Sequence, residues 1–480
     1  MTLMLALLPI IAIFILLFGL KQSSLRAGIL AYVITIVITL WASEFDLHAD
    51  EIAHASFKGV LIAFIVAYVV FFGIFLFHLM NRSGKIKEIA AFISQATDDR
   101  MMQIIILIAG LSPLIESTSG FGTAFLVVAP ILIALGFSRM KAALIGLVSL
   151  LAVPWGALAT GMVVGSKMVE VPLENTAVGA AIVSLPVFVY FLLVAVYIAG
   201  GWQAVRGKWK EILLFSLTFG FGVLFFNLYV SVELAGALAA LVTTGVGSVM
   251  TKMNRSVVKV ISPYLFLTFC ILVTRLVPPV SDFLQSHGVL DLPSFDFALP
   301  LLYSPAFWLL ASCLFAIGIF KIDRKTVLDS IKATWRQWVP FAVSTASFIS
   351  MAEIMAAAGM TDFIAETAGS VFGTGFVLVS PFIGGLGGFL TASATGSNAI
   401  FIKLQVQTAH RVGIPADLLT YAQNAGAAHA SMASPSRIIL AGSLCEIQSR
   451  ENELMKKMIL IVVGALVLIA GMILGWFWLI

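Results

Sequence analysis

Long apolar runs recur along this chain from MTLMLALLPIIAIFILLFGL onward, with short polar stretches between them. Each is close to the roughly 20 residues a helix needs to cross a hydrocarbon core. The alternating segments of about ten residues that mark a membrane β-barrel are absent. The pattern predicts an all-α polytopic membrane protein with about 12 full spans. They fall near 3–19, 26–41, 57–79, 143–166, 177–200, 212–229, 234–250, 260–279, 301–320, 338–359, 416–440 and 457–480. Two further apolar regions, 101–136 and 368–405, are split by polar, Gly-rich centres and are expected as re-entrant helical hairpins.

Composition sharpens this reading. Of 480 residues, 60% are hydrophobic and 11% charged, with a mean hydropathy of +1.07; a soluble chain carries about 25% charged residues. The N-terminus lacks a basic leader and a small-residue cleavage site, and reads as a retained first helix. Cys270, Cys313 and Cys445 lie in or beside apolar runs and read as small core residues, with no disulfide or metal framework. No basic patch with interleaved aromatics suggests nucleic acid.

Most of the 28 Lys and Arg residues collect in alternate loops, including Arg82 to Arg100, Arg206 to Lys210, Lys252 to Lys259 and Lys321 to Arg336. The loops between them, such as 43–56 and 281–296, are acidic or nearly neutral. By the positive-inside rule the basic loops are cytoplasmic and both termini face outward. Lys403 and Arg411 then fall on the outer side, against the rule.

The broken regions occupy matching places. In each half a span ends, a polar break follows at 116–123 or 391–398, and a helix with a central proline, Pro154 or Pro435, comes next. This is the signature of an inverted repeat, with 1–205 and 256–480 as the repeats and 206–255 as connector. Interrupted segments in corresponding positions point to a transporter's binding site.

Irregular backbone at membrane depth is tolerated only inside protein or beside a wet cavity. The first break, PLIESTSGFGTAF (113–125), offers Glu116, Ser117, Thr118, Ser119, Gly120, Gly122 and Thr123. An acid within the membrane is a functional candidate by default. The second, TASATGSN (391–398), offers Ser393, Thr395, Gly396, Ser397 and Asn398. Two hydroxyl-rich breaks facing one another would grip a small anion, although hydroxyl residues also serve close helix packing. Asn424, Ser434 and Arg437 extend the anion-binding set, Arg437 by its forked donor pattern. Glu353 and His429 join Glu116 as candidates for ion coupling.

At these motifs the chain resembles the lactate permease family, symporters of lactate or glycolate with protons. PLIESTSGFGTAFLVVAPILIALGF (113–137) is similar to that family's acidic E-x-x-x-GFG block. GGFLTASATGSNAIFIKLQVQTAHRVGI (387–414) and NAGAAHASMASPSRIILA (424–441) are similar to two further blocks. The likeness implies Glu116, Gly120-Phe121-Gly122 and Ser397-Asn398 as site residues. The departures are Ser117-Thr118-Ser119 in place of small residues, Ala399-Ile400-Phe401 in place of a second Ser-Asn pair, and Arg437 in place of an uncharged side chain. They mark a divergent member.

The functional expectation is a secondary carrier in a bacterial cytoplasmic membrane, not an enzyme, that moves a small organic anion with protons and needs no cofactor. The alternatives are a sodium-coupled carrier of a dicarboxylate or sulfonate, and an anion channel with hydroxyl-lined breaks. Its partners are the anion, the coupling proton or sodium ion and the lipid bilayer, and paired hairpins are compatible with a homodimer.

Overall fold

The computed structural model describes residues 2–251 and 257–479. Lys252, Arg255 and the boundary at 255/256 lie outside the described residues. Among the described residues, eight helices are long and apolar enough to cross a membrane, or up to ten if each of two bent pairs is one span. The chain is thus a multi-pass helical membrane protein, with fewer clear spans than the hydropathy pattern predicts.

The differences have local causes. The helices at the expected spans 3–19 and 301–320 are short, Thr2–Leu17 and Pro305–Phe320. The expected spans 177–200 and 212–229 lie within one segment, Leu173–Tyr229, which Gly201 interrupts at φ 71°, ψ −170°. The expected span 143–166 is broken at Pro154 and bent by 57°. Arg100–Ser119, expected as half of a hairpin, is itself long enough to span. The stretch between the expected span 338–359 and the expected hairpin at 368–405 is helical, within Met360–Phe372, which starts after Gly359 turns left-handed at φ 74°.

Two bodies of helices flank the site. In one, Ala49–Arg82 packs along Arg324–Ala357, with Ser24–Trp41 and Pro305–Phe320 beside them. In the other, Phe376–Thr391, Ala394–Val412 and Ala416–Ala430 pack together against Glu451–Leu479. Gly156–Val169 lies between them, against both Ala49–Arg82 and Ala394–Val412. A two-stranded antiparallel hairpin, Val289–Leu292 with Phe297–Pro300, sets Phe297 and Leu299 on Leu61 of the long helix. The cysteines are buried and unpaired, as small core residues.

Ion pairs fasten the helices. Glu353 lies 2.7 Å from Lys403 and 3.8 Å from Lys58, joining Arg324–Ala357, Ala394–Val412 and Ala49–Arg82. Arg275 pairs with Glu233 at 3.0 Å and stacks over Tyr303. Arg411 pairs with Glu366. The two cations that break the positive-inside rule thus each have a carboxylate partner.

Candidate functional site

Three interruptions of regular helix meet at one cavity, and a fourth precedes the helix that brings Arg437 to it. The first is prepared by Pro113, which has no N–H for the helix ladder; the turn before it widens to π geometry at Leu107–Leu111. The helix Ser112–Ser119 then stops at three consecutive left-handed residues, Gly120 (φ 66°), Phe121 (φ 60°) and Gly122 (φ 70°). Gly120, at ψ −162°, has a backbone that essentially only glycine adopts.

The second interruption follows Pro154, where Ala157, Leu158 and Ala159 are all left-handed. Each costs roughly 1–2 kcal/mol relative to the right-handed form, so the surrounding packing must hold them. Their neighbour is the first break: a methyl group added at Gly120 would lie 2.8 Å from the Ala157 Cβ. The third interruption is at Ala392 (φ 57°), after which Ser393 Oγ accepts the Gly396 N–H and starts Ala394–Val412. The fourth spans Ser431–Ser434, where Ser434 Oγ accepts the Arg437 N–H at the start of Pro435–Leu444.

The cavity the first three breaks enclose is about 40 Å³. Glu116, Phe121, Ala157, Ser393, Thr395 and Arg437 are among its walls. Glu116 and Arg437 are 1% and 6% exposed, so solvent does not screen them. Glu116 Oε1 accepts the Gly122 N–H at 3.0 Å, while Oε2 has no hydrogen-bond partner among the described residues. Arg437 Nη2 donates to the Ala392 carbonyl at 3.2 Å, and Nη1 has no hydrogen-bond partner among the described residues. A buried polar atom without a partner costs about 1–3 kcal/mol, more if charged. Two such atoms at one cavity are what a site awaiting a polar ligand presents. The N-terminus of Ala394–Val412 adds partial positive charge at the same place.

The other candidates divide. Ser117 Oγ lies against Gly236 on the neighbouring helix Val232–Met250. Thr118 Oγ1 donates to the carbonyls of Leu114 and Ile115 in its own helix, and Thr123 Oγ1 to Gly120. Ser119 is buried and is not in the cavity wall. Ser397 Oγ donates to the Gly384 carbonyl, and Asn398 Nδ2 to Gly161 and Asn424. This places Ser397, Asn398 and Asn424 in a polar network that locks Gly156–Val169 to the helices behind it. Gln423 completes the network by donating to both Ser397 and Asn398.

Gly396 lines an adjoining, larger cavity, and Ser434 serves as the cap of the Arg437 helix. Glu353 sits in its lysine pair, away from the cavity wall. His429 Nε2 faces Ser184 Oγ at 3.2 Å, with Phe188 and Phe191 around the ring. Phe121, implied by the family block, is in the wall, and Ala157 and Phe341 are wall residues that motif reasoning passed over. Phe341, beside Pro340, carried no polar signal.

A family model described as L-lactate permease matches residues 2–255 and 290–478. The chain belongs to the L-lactate permease family. It is 26% identical to the glycolate permease GlcA of Escherichia coli (strain K12), over 94% of this chain and 91% of that one. With an L-lactate permease of Streptococcus iniae it shares 25% identity over 85% and 92%. These identities make it a divergent member, a transporter rather than an enzyme. Among solved structures, the YdaH transporter of Alcanivorax borkumensis aligns over 88% of this chain and 85% of its own, with a TM-score of 0.47 and 12% identity.

Proposed function

We propose that this permease is a symporter of a small monocarboxylate with a proton, in a bacterial cytoplasmic membrane. The observation that carries the reading is the pair of unpartnered atoms, Glu116 Oε2 and Arg437 Nη1, on one buried cavity. With Glu116 ionised and Arg437 charged, the empty site is neutral. A carboxylate arriving at Arg437 would leave one uncompensated negative charge in a dry site, which is costly. A proton on Glu116 removes it. Anion and proton therefore favour each other's binding, and by linkage the preference is reciprocal.

Glycolate and L-lactate, in the relatives' names, are acids of suitable size. The breaks at 120–122 and 391–393 would be the tips of two re-entrant hairpins in an inverted repeat, their basic loops cytoplasmic and both termini outside. Each break is followed by a helix and then by a proline-broken segment, which supports that pairing. Alternating access would move these hairpins against the Ala49–Arg82 and Arg324–Ala357 helices.

The test is uptake of radiolabelled lactate into proteoliposomes under a proton gradient and a sodium gradient imposed separately. Proton-driven accumulation is expected. Glu116→Gln should retain part of lactate exchange and lose pH-driven accumulation. Accumulation preserved in that variant, or driven by sodium alone, would overturn the proton role of Glu116.

A further inference from the structure

The buried cavity at Glu116 is small. Its 40 Å³ holds about three water molecules, which suits a carboxylate head and excludes a longer acid. It does not end there. Phe121, Phe341, Ala392, Ser393 and Arg437 also line an adjoining space of about 450 Å³. Arg437 thus stands at the neck between them. The ring of Phe121 meets that of Phe341 edge to face at 4.6 Å, forming one wall of the neck. Beyond it the exposed lining surface is mostly carbon, from Pro340, Phe348, Leu25 and Leu440, broken by Gln337 and the hydroxyls of six serines and threonines. Among the residues lining either space, Arg437 is the one cation and Glu116, in the smaller, the one acid.

On the reading proposed above, we propose that the preferred substrates are 2-hydroxy monocarboxylates with an apolar substituent larger than the methyl of lactate. The carboxylate binds Arg437 and the substituent lies beyond the neck, between Phe341, Phe348 and Leu440. Three arguments carry this. Arg437 lines both spaces, so an anion held by it opens onto the larger one rather than onto a blind end. Apolar walls reward apolar surface, each buried methylene being worth about fourfold in affinity. A second carboxylate on the substrate would meet no second cation, so dicarboxylates are disfavoured.

The experiment is competition against radiolabelled lactate uptake in proteoliposomes under a proton gradient. The competitors are glycolate, lactate, 2-hydroxybutanoate, 2-hydroxy-4-methylpentanoate and malate. Binding of the same acids to the detergent-solubilised permease is measured by calorimetry. The branched six-carbon acid should compete at least about tenfold more strongly than lactate, and malate more weakly than lactate. Leu440 is partly exposed, so Leu440→Trp should fold while filling the apolar space. In it the ratio of the two hydroxy acids' affinities should collapse toward one. Lactate transported, with the longer acid equal or weaker in both assays, overturns this inference alone. A ratio unmoved by Leu440→Trp overturns the placement of the substituent. Lactate neither bound nor transported overturns the underlying monocarboxylate reading as well.

Discussion

Arg437 and Glu116 come from opposite halves of the sequence, and each leaves one buried atom without a hydrogen-bond partner among the described residues. A hydrogen bond to a charged group is worth about 1.5–3 kcal/mol, or about tenfold to a hundredfold in affinity. Arg437→Gln is therefore expected to raise the KM for lactate by at least about tenfold in vesicle uptake. Arg437→Lys keeps the charge without the fork and should recover part of that loss. If both variants take up lactate with the parent KM, Arg437 does not hold the anion. Ser117 makes the contrasting case, because its hydroxyl packs against Gly236 rather than the cavity. Ser117→Ala should leave the KM within about twofold, a result that uptake kinetics would check.

At the scale of elements, the site exists because two irregular segments touch. Gly120 holds a backbone reserved for glycine, and its α-carbon faces Ala157 so closely that a methyl group would collide. Gly120→Ala carries both the strained conformation, roughly 1–3 kcal/mol, and the displacement of the left-handed turn at Ala157–Ala159. Loss of uptake with a lowered melting temperature in detergent is the expected outcome. Normal uptake would show that the two breaks need not touch for transport. The breaks themselves were legible in the sequence, since Gly120-Phe121-Gly122, Pro154 and Pro435 are the residues that interrupt helices. The left-handed run of Ala157, Leu158 and Ala159 was not, because nothing in those residue types favours it. It persists under the packing of Gly120 and Trp155, whose indole N–H bonds Asn227.

Across the whole molecule, Glu353 ties the two bodies of helices through Lys403. Lys403→Met leaves a buried carboxylate with only the 3.8 Å Lys58 contact and should destabilise by about 3–5 kcal/mol. The double variant Lys403→Met with Glu353→Met removes both charges and should recover most of that loss. Thermal unfolding of the single and double variants in one detergent tests the coupling; equal melting temperatures would deny it. The same pair shows why counting cations by loop misplaced the weight of Lys403. Its charge is answered by a buried partner from a distant helix, so it does not report which side of the membrane it faces.

The sequence by itself determined that this is a helical membrane protein, that Gly120-Phe121-Gly122, Pro154 and Pro435 mark interruptions of its helices, and to which family it belongs. Those properties follow from local rules. A segment in lipid must satisfy its own backbone, so apolar runs become helices, and glycine and proline mark their interruptions. Which polar residues work together was decided only by the tertiary structure. Ser117, Thr118 and Ser119 share a run with Glu116, yet in a helix successive side chains point in different directions. Neighbouring helices therefore selected Glu116 for the cavity and turned the hydroxyls into packing. Arg437 and Phe341 reached that cavity from distant segments, a juxtaposition set by how the helices pack and not by any spacing along the chain.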